Sequence, residues 1–249
     1  MNKQMFNIKL KHVTLSMIEI KVLVAVFAIV AGTIGFILIA GFVSRGSADH
    51  IDMQILRSFR YPGNLTRPIG PGWLFEVMRD ITSLGGSTIV FLITFIVIGY
   101  FILQKQHSML FLVLAAVIGG AIMDLELKEL FGRIRPEIIP SLIPVKSFSF
   151  PSGHSMMSTI IYLSLASLIA RIQVRLRDKI YIISVAIFLS FIIGVSRVYL
   201  GVHYPSDVLG GWSLGLAWAA LCWFVAWYIS KKRLMEITEK SKDDLPDNG

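Results

Sequence analysis

Six long apolar runs with few charges dominate this chain: Val22–Val43, Thr88–Leu103, Met109–Leu127, Ser155–Ala170, Ile180–Val195 and Val208–Ile229. A helix needs about 20 apolar residues to cross the hydrocarbon of a bilayer. No water is available there, so each span must satisfy its own backbone hydrogen bonds as a helix. Strands of an outer-membrane barrel would alternate in polarity, and these runs do not. The pattern predicts an all-α fold, a six-transmembrane-helix bundle. The shorter runs must borrow flanking polar residues at the interface to complete a crossing. An apolar share of 55% agrees, since soluble domains sit nearer about 45–50%.

Charge orients the bundle. Most of the 24 lysines and arginines fall on one side if the N-terminus is cytoplasmic. They cluster at Lys3–Lys21, around Arg171–Lys179, and after Lys231. Both termini are then expected inside a cell inner membrane. The net charge of +8 follows from this bias. No basic stripe interleaved with aromatics marks a nucleic-acid surface. The single cysteine, Cys222, rules out a disulfide framework or a Cys-type zinc site within one chain. The first apolar run is too long for a signal-peptide core and reads as an uncleaved helix. One membrane domain is expected over residues 1–235, with an outer loop at 44–86 and a polar cytoplasmic tail at 236–249. Within the loop, Ile51, Ile55 and Phe59, and then Trp73, Val77 and Ile81, recur at helical spacing. They predict short amphipathic helices at the membrane surface, serving as a packing cap or as a lateral gate for lipid.

Three polar clusters fall just beyond membrane helices on one predicted face: Lys128–Pro136, Pro151–His154 and Ser196–Asp207. Lys128, Arg135 and Arg197 supply three fixed cations. Arginine can clamp two phosphate oxygens in a planar fork, whereas lysine acts as a point charge. Ser152 and Gly153 open the fourth helix, where free N–H groups favour an anion. Glycine there allows close approach of a phosphate to the backbone. Asp207 lies one turn after His203 and can hold one imidazole nitrogen while the other attacks. His154 can protonate a leaving oxygen. Asp124 and Glu126 read first as partners of Lys128 or an arginine, with an orienting role for Lys128 as the alternative. Arg133 reads as a contact to a substrate headgroup.

The order Lys128-x6-Arg135-Pro136, then Pro151-Ser152-Gly153-His154, then Ser196-Arg197-x5-His203-x3-Asp207 resembles the type 2 phosphatidic acid phosphatase family. All three motifs match without substitution, and the six-helix layout also matches. The resemblance implies a membrane lipid phosphatase working through a phosphohistidine, without a cofactor or metal. It implies His203 as nucleophile, His154 as acid and base, and Asp207 as the partner of His203. Lys128, Arg135, Ser152, Gly153 and Arg197 would bind phosphate. It names undecaprenyl diphosphate as the leading substrate, with phosphatidylglycerophosphate and phosphatidic acid next. Two rivals stay open: a phosphotransferase that passes the phosphoryl group to another lipid, and a lipid or anion transporter. Transport leaves His203 and Asp207 without a task.

Overall fold

The structure is a computed structural model that describes residues 3–136, 141–143 and 147–243, with side chains described over 20–136, 141–143 and 147–232. Eight helices and a small hairpin follow in order: α1 Lys3–Ser44, α2 Asp49–Ser58, β1 Arg60–Tyr61, β2 Asn64–Pro68, α3 Gly72–Ser83, α4 Ser87–Leu103, α5 His107–Phe131, α6 Gly153–Ile172, α7 Leu176–Tyr199 and α8 Pro205–Asp243. Five helices are long and apolar enough to cross a membrane. The bent pair α3–α4, angled by 42°, makes a sixth candidate. The expected six-helix layout therefore holds, with longer helices than the apolar runs suggested. Lys128 and Arg197 sit inside the last turns of α5 and α7 rather than beyond them. The helix α8 runs past residue 235 into the polar tail, whose last residues, 244–249, lie outside the described residues.

Small residues let the helices approach closely, as expected where lipid gives no hydrophobic drive to association. A Cβ on Gly32 of α1 would lie 2.6 Å from the backbone oxygen of Ser213 in α8. One on Gly211 of α8 would lie 2.6 Å from the backbone oxygen of Ser152. Indole N–H groups add polar ties between helices: Trp212 Nε1 donates to Ser190 O and Trp218 Nε1 to Ala116 O. Large apolar side chains such as Phe27 and Phe95, each 74% exposed, point outward where lipid chains would cover them.

The loop after α1 differs in detail from its reading. Helices α2 and α3 form where expected, but a two-stranded hairpin lies between them. In α2 the buried stripe is Asp52 and Leu56, while Ile51 and Ile55 stay exposed. In α3, Leu74, Phe75 and Met78 pack on the cluster of Tyr199, Leu200 and Val202, leaving Trp73 and Val77 outside. Each short helix thus carries an inward face and a separate outward apolar face.

Candidate active site

Helix ends gather the polar residues. Gly132, at φ +52°, ends α5 and donates its N–H to Lys128 O. This left-handed cap turns the chain so that Arg133 and Arg135 run back across the end of the bundle. After α7, Gly201 at φ +73° turns the chain into His203, and Pro205 starts α8 with a fixed φ suited to a first helical turn. The ends of α5 and α7 and the starts of α6 and α8 therefore meet. All eight expected site residues, Lys128, Arg135, Ser152, Gly153, His154, Arg197, His203 and Asp207, come together here.

His203 is 1% exposed. Its Nδ1 lies 3.4 Å from Asp207 Oδ2 and 3.4 Å from Ser149 Oγ. Its Nε2 lies 3.1 Å from Arg135 Nη1. A guanidinium has only donors, so Nε2 must present its lone pair and Nδ1 must carry the proton. Burial, and then the charges of Arg135, Arg197 and Lys128, push the His203 pKa well below its ordinary value. The imidazole is thus neutral at physiological pH, which a nucleophile requires.

Asp207 is fully enclosed and heavily bonded. Ser149 Oγ donates to Oδ2 at 2.5 Å, the Tyr204 N–H donates to Oδ2 at 2.9 Å, and Arg133 Nη1 donates to Oδ1 at 2.7 Å. The same Arg133 donates to Ser206 Oγ, Asp52 Oδ2 and Asp49 Oδ1, and its guanidinium stacks 4.1 Å over the Tyr204 ring. Burial opposes the Arg133 charge, but Asp207 and Asp52 outweigh it and hold its pKa above the ordinary value. The headgroup contact expected of Arg133 is therefore corrected: its donors already serve three carboxylates and a hydroxyl.

The cations Lys128, Arg135 and Arg197 are held differently. Arg135 donates to Ser147 O, Ser147 Oγ, Phe148 O and Val202 O, which fixes its fork beside His203. Burial lowers its pKa against the pull of Asp207 and Asp124. Lys128 Nζ pairs with Asp124 Oδ2 at 2.6 Å, the partner its sequence position suggested. Glu126 stays exposed on the same helix. A Cβ on Gly153 would lie 2.7 Å from Asp124 Oδ2 and 2.8 Å from Lys128 Nζ. Glycine at this position therefore lets the pair stand against the first turn of α6. Arg197, 2% exposed, donates Nη1 to Thr82 Oγ1 at 2.9 Å, and its Nε has no partner among the described residues.

At the start of α6 the expected anion site shifts by one residue. The Ser152 N–H is not free: it donates to Asp207 O, and the Ser152 hydroxyl accepts from Ser155 Oγ. The first helical bond runs from Met156 N to Ser152 O. The N–H groups of Gly153, His154 and Ser155 therefore precede the ladder and are the ones that can face an anion. His154 lies within electrostatic reach of Arg197, His203, Lys128 and Arg135. The α3–α4 corner roofs it, since a Cβ on Gly86 would lie 3.8 Å from His154 Nε2.

Three contributors escaped the sequence reading: Ser149, Thr82 and Asp52. Asp52 carried a faint signal, an acid four residues before Leu56 on the stripe that turns inward. Among the described residues, no three His, Cys, Asp or Glu side chains cluster as metal ligands would. The groups facing the site are instead lysine, arginine and helix N–H donors, a set suited to a phosphate ester.

Comparison with known proteins agrees with this chemistry. The PAP2 superfamily profile matches residues 108–231. Phosphatidylglycerophosphatase B of Bacillus subtilis (strain 168) is 42% identical over 149 residues, covering 58% of this chain and 71% of that protein. Lipid A 1-phosphatase of Rhizobium johnstonii is 35% identical over 120 residues, covering 45% of this chain and 44% of that protein. The crystal structure of a transmembrane PAP2-type phosphatidylglycerolphosphate phosphatase from Bacillus subtilis superposes with a TM-score of 0.69 at 32% identity, covering 83% of this chain and 97% of the other. Aquifex aeolicus LpxE shares the fold at a TM-score of 0.51 and 21% identity. With its motif residues converging at one end of a helical membrane bundle, and a relative this similar over most of its length, the chain is a multi-pass membrane phosphatase and belongs to the PAP2 superfamily.

Proposed function

We propose that this enzyme hydrolyses the phosphate of a membrane lipid through a phosphohistidine at His203. The observation that carries the reading is the placement of His203, with Nδ1 turned to Asp207 and Nε2 beside Arg135. In the first step Nε2 forms a bond to phosphorus as the phosphorus–oxygen bond to the lipid breaks. His154 gives the leaving oxygen its proton. Lys128, Arg135 and Arg197, with the free N–H groups of Gly153, His154 and Ser155 at the helix start, hold the phosphoryl oxygens, and Ser152, whose N–H donates to Asp207 O, anchors that turn. In the second step His154 takes a proton from water, water attacks phosphorus, and inorganic phosphate leaves with His203 neutral again. Phosphatidylglycerophosphate is the first substrate to test, because relatives named for it match over most of their lengths. Undecaprenyl diphosphate and phosphatidic acid remain on the panel without comparable support. The test is inorganic phosphate release by purified protein on these three lipids, with and without EDTA. Release from phosphatidylglycerophosphate, undiminished by chelator, is expected. A loss in EDTA restored by magnesium would overturn the cation-based mechanism. A phosphorylated lipid product in place of free phosphate would favour transfer.

The charge bias supports a site on the outer face of the inner membrane, with both termini cytoplasmic. After Cys222→Ala, an impermeant thiol reagent on outer-membrane-permeabilised cells should label Asn64→Cys and spare Arg175→Cys. Both positions are exposed. Labelling of Arg175→Cys alone would invert the topology.

A further inference from the structure

A roomy cavity lies at the far end of the bundle from His203. Its volume is about 520 Å³, and it opens between α1, α6, α7 and α8. Seventeen residues of α6 separate His154 from Arg171 at its rim, about 26 Å at the rise of an α-helix. This is therefore not an annex of the phosphatase site. Its size falls in the range of about 300–1,000 Å³ typical of pockets that bury a small ligand. The walls are largely apolar and include Trp223 and Trp227, while three cations line it: Lys21 of α1, Arg171 of α6 and Lys179 of α7. Lys231 adds a fourth charge nearby, 5.1 Å over the Trp227 ring.

Two features separate this arrangement from ordinary basic residues at helix ends. The cations come from three different helices yet converge on one cavity. Among the described residues, none of the three forms an ion pair; the nearby Asp178 pairs instead with Arg177. Tryptophans at that depth suit the level where headgroup meets acyl chain. Basic pockets between membrane helices bind phosphate headgroups for these reasons.

We propose that this cavity binds an anionic phospholipid of the leaflet opposite the active site, with its phosphate against Lys21, Arg171 and Lys179 and an acyl chain between α1 and α8. The lipid would fill the gap that α1, packed on α8, leaves against α6 and α7. This assignment does not depend on the chemistry at the other end.

The experiment uses the full chain in nanodiscs of neutral lipid. They carry either phosphatidylglycerol or phosphatidylcholine, each with the same diazirine-bearing acyl chain, and cross-linked peptides are mapped by mass spectrometry. The phosphatidylglycerol probe should label residues 20–28 and 216–227 roughly tenfold more than the phosphatidylcholine probe. The double variant Arg171→Gln/Lys179→Gln should bring that labelling down to the phosphatidylcholine level while lipid hydrolysis, the check on folding, persists. Ala28→Phe, which narrows the cavity from α1, should reduce labelling by both probes. Equal labelling by the two probes would overturn the proposal, as would labelling confined to the peptides around His203. So would a covalent dimer that leaves the cavity unlabelled, because a second copy would then be its occupant.

Discussion

The two sides of the active site are built on opposite principles. Around His203 and Asp207, donors and acceptors are matched: Asp207 receives Ser149, Tyr204 and Arg133, and Arg133 in turn ties down Asp52 and Asp49. Across the site, Arg197 Nε and Asp124 Oδ1 are buried without partners among the described residues. Three cations there face one another with few acids between them. A buried unpaired charge costs several kcal/mol of stability. The nucleophile side is thus matched within the protein, whereas the receiving side carries an excess of positive charge. The difference assigns separate consequences to mutations only a few ångströms apart. Removing the cation that holds the matched side together, Arg133, should cost both fold and turnover; removing a cation from the receiving side should cost turnover alone.

The largest expected effect is on turnover. His203→Ala removes the proposed phosphoryl acceptor, and a loss on the order of 10⁴-fold or more in kcat is expected. The variant should remain folded in the membrane. Near wild-type phosphate release by this variant would refute a phosphohistidine at this position.

A pair of arginine variants tests the contrast directly. Arg133→Leu strips the cation from Asp207, Asp52 and Asp49, two of which are buried. Breaking such a network by removing one partner costs about 3–5 kcal/mol. The denaturation midpoint should fall clearly. Arg197→Leu removes a charge whose side chain has only Thr82 as a hydrogen-bond partner among the described residues, so the midpoint should hold or rise. Its kcat/KM should nevertheless fall about 10²- to 10³-fold, the usual worth of one donor to a charged transition state. Equal loss of stability in both variants would dissolve the distinction between the two sides.

The same contrast explains what the sequence could disclose. The motif residues were legible because phosphate chemistry dictates their type and because helix ends hold them at short, fixed spacings. The helices were legible because lipid demands long apolar runs. Asp52 and Thr82 were not, since they act across 154 residues to Ser206 and 115 residues to Arg197. No local period encodes such a contact. The helical stripe through Ile51 and Ile55 was seen, but its direction was not: the protein interior takes Asp52 and Leu56, leaving the isoleucines outside. In a membrane an apolar face no longer signals the protein core, because lipid is an equally good partner. Arg133 misled for a related reason. Two residues from Arg135, it shares that residue's chemistry, and only the fold reveals that its donors are already occupied.

The smallest expected effect belongs to Ser149, which sits between the two members of the catalytic pair. Its hydroxyl donates to Asp207 Oδ2 at 2.5 Å and lies 3.4 Å from His203 Nδ1. The Nδ1–Oδ2 separation is itself 3.4 Å, long for a hydrogen bond, so Asp207 alone holds the imidazole loosely. Ser149 narrows the freedom of that carboxylate from below, while the Tyr204 N–H and Arg133 fix its other lone pairs. Ser149→Ala leaves those two donors and the charge pair intact. The ring keeps its tautomer but gains freedom to rotate. The loss should be that of one hydrogen bond to a charged group, about 1.5–3 kcal/mol, or roughly 10- to 100-fold in kcat. KM should change little, because Ser149 touches none of the cations proposed to hold phosphate other than through His203. Steady-state kinetics on a lipid phosphate separates the possibilities. A raised KM with kcat intact would make Ser149 a substrate-binding residue. An unchanged kcat would mean that Asp207 orients His203 unaided, and that the matched side of the site is more redundant than its hydrogen bonds suggest.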